Sequence, residues 1–148
     1  FASPYLHQLG LSEIPEYREP SYLKEADANY PFVMTTGARK SLIYHSRHQN
    51  ISRFRDVHPD AEMEIHPADA ADLGIEDGEK VRVVSDMGEL VIRAAVKHAA
   101  ELRQGVVEIY HGWEDWRVNF LTHDDINDPI SGFPLLKAVP VRIEKIDA

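Results

Sequence analysis

One basic island stands in an otherwise acidic chain. Between Tyr30 and Arg55 lie five Lys/Arg residues (Arg39, Lys40, Arg47, Arg53, Arg55), two histidines (His45, His48) and no Asp or Glu. The other 11 of the 16 Lys/Arg share the rest of the chain with all 25 acids. The island opens as Tyr30-Pro-Phe-Val-Met-Thr-Thr36 and breaks at Gly37. Hydroxyl, amide and guanidinium groups then follow in quick succession. A strand that ends in a glycine turn brings backbone donors close to a ligand, and donors beside cations suit a phosphate. The segment is expected to bind an anion. The competing chemistry is a basic loop that stays solvated.

Other chemistries fit less well. Thr36-Gly37-Ala-Arg-Lys-Ser41 is similar to a phosphate-binding P-loop only on the surface, because Arg39 precedes Lys40 where a second glycine is required. No Gly-x-Gly-x-x-Gly, His-Glu-x-x-His or Gly-x-Ser-x-Gly run occurs. His45 and His48 are three apart, whereas catalytic zinc needs three converging ligands. Hydrogen bonding to a ligand, or core packing, suits these histidines better. Both tryptophans fall in His111-Gly-Trp-Glu-Asp-Trp-Arg-Val-Asn-Phe-Leu-Thr122, after an apolar run. Rings with a glycine and an amide could wall a flat heterocycle; equally, Trp113 and Trp116 could plug a barrel end or sit at a domain interface.

The elements that must position these groups are short. Tyr30 to Thr36, Ala61 to His66, Glu79 to Val84, Glu89 to Val96, Gly105 to Tyr110 and Leu135 to Ile146 read as strands. Pro140 suggests an edge or a bulge in the last. Asn50 to Val57 reads as a short helix with Ile51, Phe54 and Val57 on one face. Pro67 to Gly74 reads as another, with Pro at its start and Gly past its end. Phe1 to Asn29, interrupted by Pro4, Pro15 and Pro20, reads as a tail or linker. Five to seven short strands leave vulnerable edges, which closure into a six-stranded barrel removes.

With 148 residues and 43% hydrophobic content, the chain is the size of one domain. A net charge of −9 argues against general nucleic-acid binding. The absence of Cys excludes disulfides, thiolate metal sites and iron–sulfur ligation by this chain. No apolar run approaches the roughly 18 residues of a membrane span. The chain opens on Phe1 without a charged-then-apolar leader, and is expected to be a piece of a longer protein.

Three stretches together carry a resemblance. They are Tyr30-Pro-Phe-Val-Met-Thr-Thr-Gly-Ala-Arg39 with His45-Ser46; Ile65 to Val83 with Gly88 and Gly105-Val-Val107; and Val118-Asn-Phe-Leu-Thr122 with Asp128-Pro129, Pro134 and Lys137. The chain resembles the C-terminal molybdopterin-dinucleotide-binding domain of the dimethyl-sulfoxide-reductase superfamily of molybdenum and tungsten oxidoreductases. The likeness covers Tyr30 to Ile146, about four-fifths of the chain. It implies a mainly β fold, a six-stranded double-psi β-barrel with short helices, over residues 30–148, led into by a linker over residues 1–29.

The resemblance further implies a site and a setting. Thr36, Gly37, Arg39, His45 and Ser46, with Arg47 and Gln49 as neighbours, would contact the pterin and phosphates of molybdopterin guanine dinucleotide in its bis form. Asn119 and Lys137 would contact the pterin. Molybdenum or tungsten, and any iron–sulfur cluster, would be held by other domains of the parent oxidoreductase, possible electron-transfer subunits beyond them. The fragment alone would be inactive. The alternatives are a free-standing binding or adaptor module of the same barrel type, and a small barrel enzyme using His45.

Overall fold

The computed structural model describes residues 3–17, 19, 28–96, 101–134 and 136–146. Six strands close into a barrel: β1 (Phe32–Thr35), β2 (Glu62–Ile65), β3 (Lys80–Val84), β4 (Glu89–Ala95), β5 (Val106–Ile109) and β6 (Val139–Lys145). Around the barrel the order is β1-β5-β2-β4-β3-β6. The pairs β1–β5 and β2–β4 are parallel and the other four antiparallel. β1 and β2 thus flank β5, while β4 and β5 flank β2. Each psi-shaped unit takes its middle strand from the other, which is the double-psi arrangement.

Alternation decides what points inward. Along β3 and β4, Val81, Val83, Leu90 and Ile92 are buried, and Val83 pairs directly with Leu90. Met34, Met63, Ile65, Val107, Ile109, Val139, Val141 and Ile143 complete the interior from the other strands. The turn between β3 and β4 is set by Ser85, whose Oγ accepts from the Met87 and Gly88 amides (3.1 and 3.3 Å).

Several local expectations are adjusted. Pro4 opens a helix, α1 (Pro4–Gln8), because Ser3 accepts from the Leu6 amide and Pro suits the first helical position. The second helix is a single turn, α2 (Ser52–Arg55). Of its expected apolar face only Phe54 packs on the core; Ile51 and Val57 stay 38% and 56% exposed. The third, α3 (Pro67–Asp72), starts at its proline and ends before Gly74.

β6 starts at Val139 instead of Leu135, because Ala138 takes a left-handed φ of 62°; Leu135 itself lies outside the described residues. Nor is Pro140 on an edge, since the barrel is closed. It pairs with Val33, whose N–H turns away to Gly105 O (2.9 Å). The Pro140 nitrogen therefore faces the flank beyond Val84↔Arg142, where the β3 pairing has ended, and no ladder bond is lost.

Candidate functional site

Parallel pairing brings the C-terminal ends of β1 and β5 to the same end of the barrel. The Gly37 turn leaves one and His111-Gly112-Trp113 leaves the other. His111 Nδ1 donates to Thr36 O (2.6 Å), tying the two exits together. The Thr36 hydroxyl donates to Leu136 O (2.7 Å), which draws in the segment before β6. Lys137 of that segment crosses Gly37 so closely that a Cβ there would lie 2.7 Å from its Cε. Any side chain there would have to push the end of the Lys137 side chain aside.

His45 is delivered by a tight turn. The Arg47 amide donates to Tyr44 O (2.9 Å), and His45 sits at the corner with φ 55°. Leu42 and His48 are also left-handed. Three non-glycine residues in that region within one loop mark a segment whose shape is imposed by its surroundings. Gly112 supplies part of that imposition by packing under the His45–Ser46 peptide. Gln49 supplies more: its Nε2 donates to Gly112 O (2.7 Å) and His45 O (3.1 Å).

The His45 ring is held on both sides. Arg39 Nε donates to its Nε2 (3.1 Å), so the ring proton belongs on Nδ1. That Nδ1 is buried and unmatched by any acceptor of the protein. The His111 ring stacks on it at 4.2 Å between centroids. Burial, then His111, Arg39 and Arg47, holds the His45 pKa below the usual imidazole value. The ring thus stays neutral, with one N–H in search of an acceptor. The Arg39 guanidinium also lies 4.5 Å from the Tyr44 ring centre, with Arg47 at 5.9 Å from the same ring.

Two clefts adjoin there. The larger, about 590 Å³, is lined by Thr36, Gly37, Arg39, His45, His111 and Lys137, with Phe133 and Pro134 on its apolar side. The smaller, about 380 Å³, is lined by Ser46, Gln49, Asn50, Arg55 and Trp113, and by Glu114 to Trp116. Of the residues expected from sequence, Thr36, Gly37, Arg39, His45 and Lys137 thus converge on one cleft, and Ser46 and Gln49 on its neighbour. Arg47 lines neither cleft; its guanidinium lies 5.9 Å from the Tyr44 ring centre. Asn119 lines neither of these clefts. It lies exposed on the 3₁₀ turn Val118–Leu121, where its carbonyl accepts from the Thr122 hydroxyl (3.2 Å).

His111 lines the larger cleft but was not among the residues singled out; its signal was its place just past the end of β5. Trp113 is only 3% exposed, with the Arg55 guanidinium 5.1 Å from its ring centre and Trp116 edge-on at 6.3 Å. It is therefore first a core residue, whose edge reaches the smaller cleft. Among the described residues no group of three His, Asp or Glu is disposed to hold a metal ion, and no helix is long and apolar enough to cross a membrane.

A closed double-psi barrel with a basic, histidine-floored cleft at one end is a recognisable class of binding domain. Residues 32–140 match the Molydopterin dinucleotide binding domain family, and the chain belongs to that family. It is 32% identical to the dopamine dehydroxylase of Eggerthella lenta, over 88% of this chain and 15% of that one. It is also 32% identical to the F420-dependent formate dehydrogenase 1 subunit alpha of Methanococcus maripaludis, over 88% of this chain and 19% of the other. The acetylene hydratase structure from Pelobacter acetylenicus superposes with a TM-score of 0.82 at 24% identity, covering 97% of this chain and 23% of that one. The chain therefore spans less than a quarter of the length of these proteins.

Proposed function

We propose that this domain, residues 30–148 after a linker over residues 1–29, holds a molybdopterin guanine dinucleotide against the barrel end of a larger oxidoreductase. The larger cleft takes the pterin and its phosphates. Arg39 and Lys137 supply charge, Thr36 and Gly37 let the backbone approach, and His45 offers its Nδ1–H to an acceptor on the ligand. His111 forms the floor beneath them. Ser46, Gln49 and Arg47 shape the neighbouring cleft and rim, and Asn119 is a contact only for a ligand that reaches past both clefts. The cofactor is taken in its bis form, with molybdenum or tungsten and any iron–sulfur cluster held by other domains and electron-transfer subunits beyond them.

The observation that carries this reading is the buried, unmatched Nδ1 of His45 beside two cations in a cleft that a ligand can enter. A buried donor without a partner costs about 1–3 kcal/mol, which a bound acceptor recovers. When bound, the cofactor supplies the metal dithiolene at which redox chemistry takes place. The chain's own part is to bind, orient and neutralise charge.

The test is cofactor analysis of the intact protein purified from a host that makes the dinucleotide. Guanine nucleotide and metal should be released together on denaturation, and both should be diminished in the His45→Phe variant. Undiminished content in that variant would remove His45 from the site; release of a cytosine nucleotide would correct the base.

A further inference from the structure

We propose that Glu108 is a positioning residue for the larger cleft. Its carboxyl group fixes the Gly37–Arg39 turn through the Ala38 amide and sets how much of the Lys137 charge an anionic ligand meets. The proposal rests on the reading of that cleft as an anion site.

Glu108 points away from the barrel interior, between inward-facing Val107 and Ile109, yet it is only 6% exposed. Strand register explains the burial. Glu108 is flanked by Thr35 on β1 and by Glu64 on β2. Two carboxylates directly opposite each other on neighbouring strands repel. What lies over them is the turn after β1. Ala38 N–H donates to Glu108 Oε1 (2.9 Å). Lys40 Nζ meets Glu62 (2.8 Å) and Glu64 (3.4 Å), and the Tyr110 hydroxyl donates to Glu64 Oε1 (2.6 Å). The basic turn is therefore strapped to the barrel by an acidic face, and the register of three strands decides where it lies.

The groups that face Glu108 come from every element packed on it. Glu64 faces it from β2, Tyr110 from just past its own strand, Thr35 from β1, the Ala38 amide from the turn, and Lys137 from the segment before β6. Burial pushes the Glu108 pKa up, the Ala38 N–H opposes this, Glu64 adds to it, and Lys137 and Thr35 pull it down. Lys137 also lines the cleft. An ionised Glu108 offsets part of the lysine charge that a ligand meets, and a neutral Glu108 removes that offset.

Two variants separate the roles. Glu108→Gln keeps an acceptor for Ala38 and removes the charge; Glu108→Ala removes both. The probe is sulfate, whose charge is constant across the range, titrated calorimetrically from about pH 4, near the ordinary carboxyl value, to about pH 8, alongside the Ala38 amide signal in 15N-labelled chain. Ratios between the three proteins at each pH isolate Glu108. The expected results are a wild-type Ala38 amide that moves with one carboxyl titration, a flat one in Glu108→Gln, and lost exchange protection in Glu108→Ala. Sulfate should bind Glu108→Gln about fivefold tighter than wild type at the upper pH, with the gap closing toward the lower. A wild-type Ala38 amide that does not titrate, or equal sulfate affinities at the upper pH, overturns the proposal. Failure of all three proteins to bind sulfate even when it is carried through the millimolar range, with Ala38 titrating normally, leaves the positioning of the turn established and counts against the anion reading of the cleft and the charge role with it.

Discussion

Gly112 lies against the backbone of His45 so closely that a Cβ on it would stand 2.6 Å from the His45 carbonyl carbon and 2.7 Å from the Ser46 nitrogen. Its φ of 96° is itself unfavourable for a residue with a side chain. Gly132, by contrast, has a φ of 69° and open space around it. Gly132→Ala is expected to cost about 1–2 kcal/mol from backbone strain alone. Gly112→Ala should cost a further ~1–3 kcal/mol, because the loop bearing His45 must move. Thermal melts of both variants, with the His45 ring signals followed by NMR, check this. Equal losses with an unmoved His45 would show that the contact has no rigid partner.

Arg39 and His45 form the second relationship. The Arg39 N–H fixes the imidazole tautomer; burial first, then His111 and the Arg39 and Arg47 charges, holds the pKa below 6.5. Because the folded-state value is depressed, the unfolded chain binds more protons between it and 6.5. This group's contribution to stability is therefore present above that ordinary value and is lost as pH falls through the depressed one. Arg39→Gln should raise the His45 midpoint toward its ordinary value in an NMR titration; an unchanged midpoint would refute the coupling. In the intact protein Arg39→Ala should also weaken cofactor retention by roughly 1.5–3 kcal/mol, one charge-assisted bond. Full occupancy in that variant would place Arg39 outside the site.

The hairpin from Lys80 to Ala95 was legible in sequence because alternation fixes both its faces locally. Val83 and Ile92 are 0% and 1% exposed. Truncating either to Ala should cost about 2–4 kcal/mol in denaturant unfolding, against under about 1 kcal/mol for the exposed Val91. Similar losses at all three positions would mean that the hairpin register is wrong.

The converging loops were partly legible. Gly37, Arg39 and His45 share one short stretch whose composition stands out, and the family resemblance added Lys137. Glu108 was not legible, because alternation alone marks it as an outward, solvated strand residue; only its register with Thr35 and Glu64 puts it beneath the turn. His111 reaches Thr36 across 75 residues, which no local pattern signals. Gln49, expected as a neighbour of the ligand contacts, lines the smaller cleft, and its amide nitrogen also joins two backbone carbonyls of the two loops, which its place in the sequence does not signal. A donor's target is a matter of tertiary geometry, and residue type does not reveal it.

The last prediction concerns the chain by itself. Its barrel is closed and its core continuous, so it should unfold cooperatively with a β-rich far-UV spectrum. The larger cleft is walled by the turn after β1, the exit of β5 and the segment before β6, all at one end of the barrel, and it is open on the far side. A dinucleotide laid there would bury one face and leave the other in water. Association costs on the order of 4–15 kcal/mol before net affinity appears, and a few charge-assisted bonds at about 1.5–3 kcal/mol each do not clear that by much. Calorimetry with guanosine diphosphate should therefore show binding that is millimolar at best, and a metal assay of the purified chain should show no stoichiometric metal. On the proposed reading, cofactor retention should appear only in the intact protein, with a second wall supplied from outside this chain. Binding in the micromolar range by the isolated chain would mean that this end of the barrel is a complete site and needs no second wall.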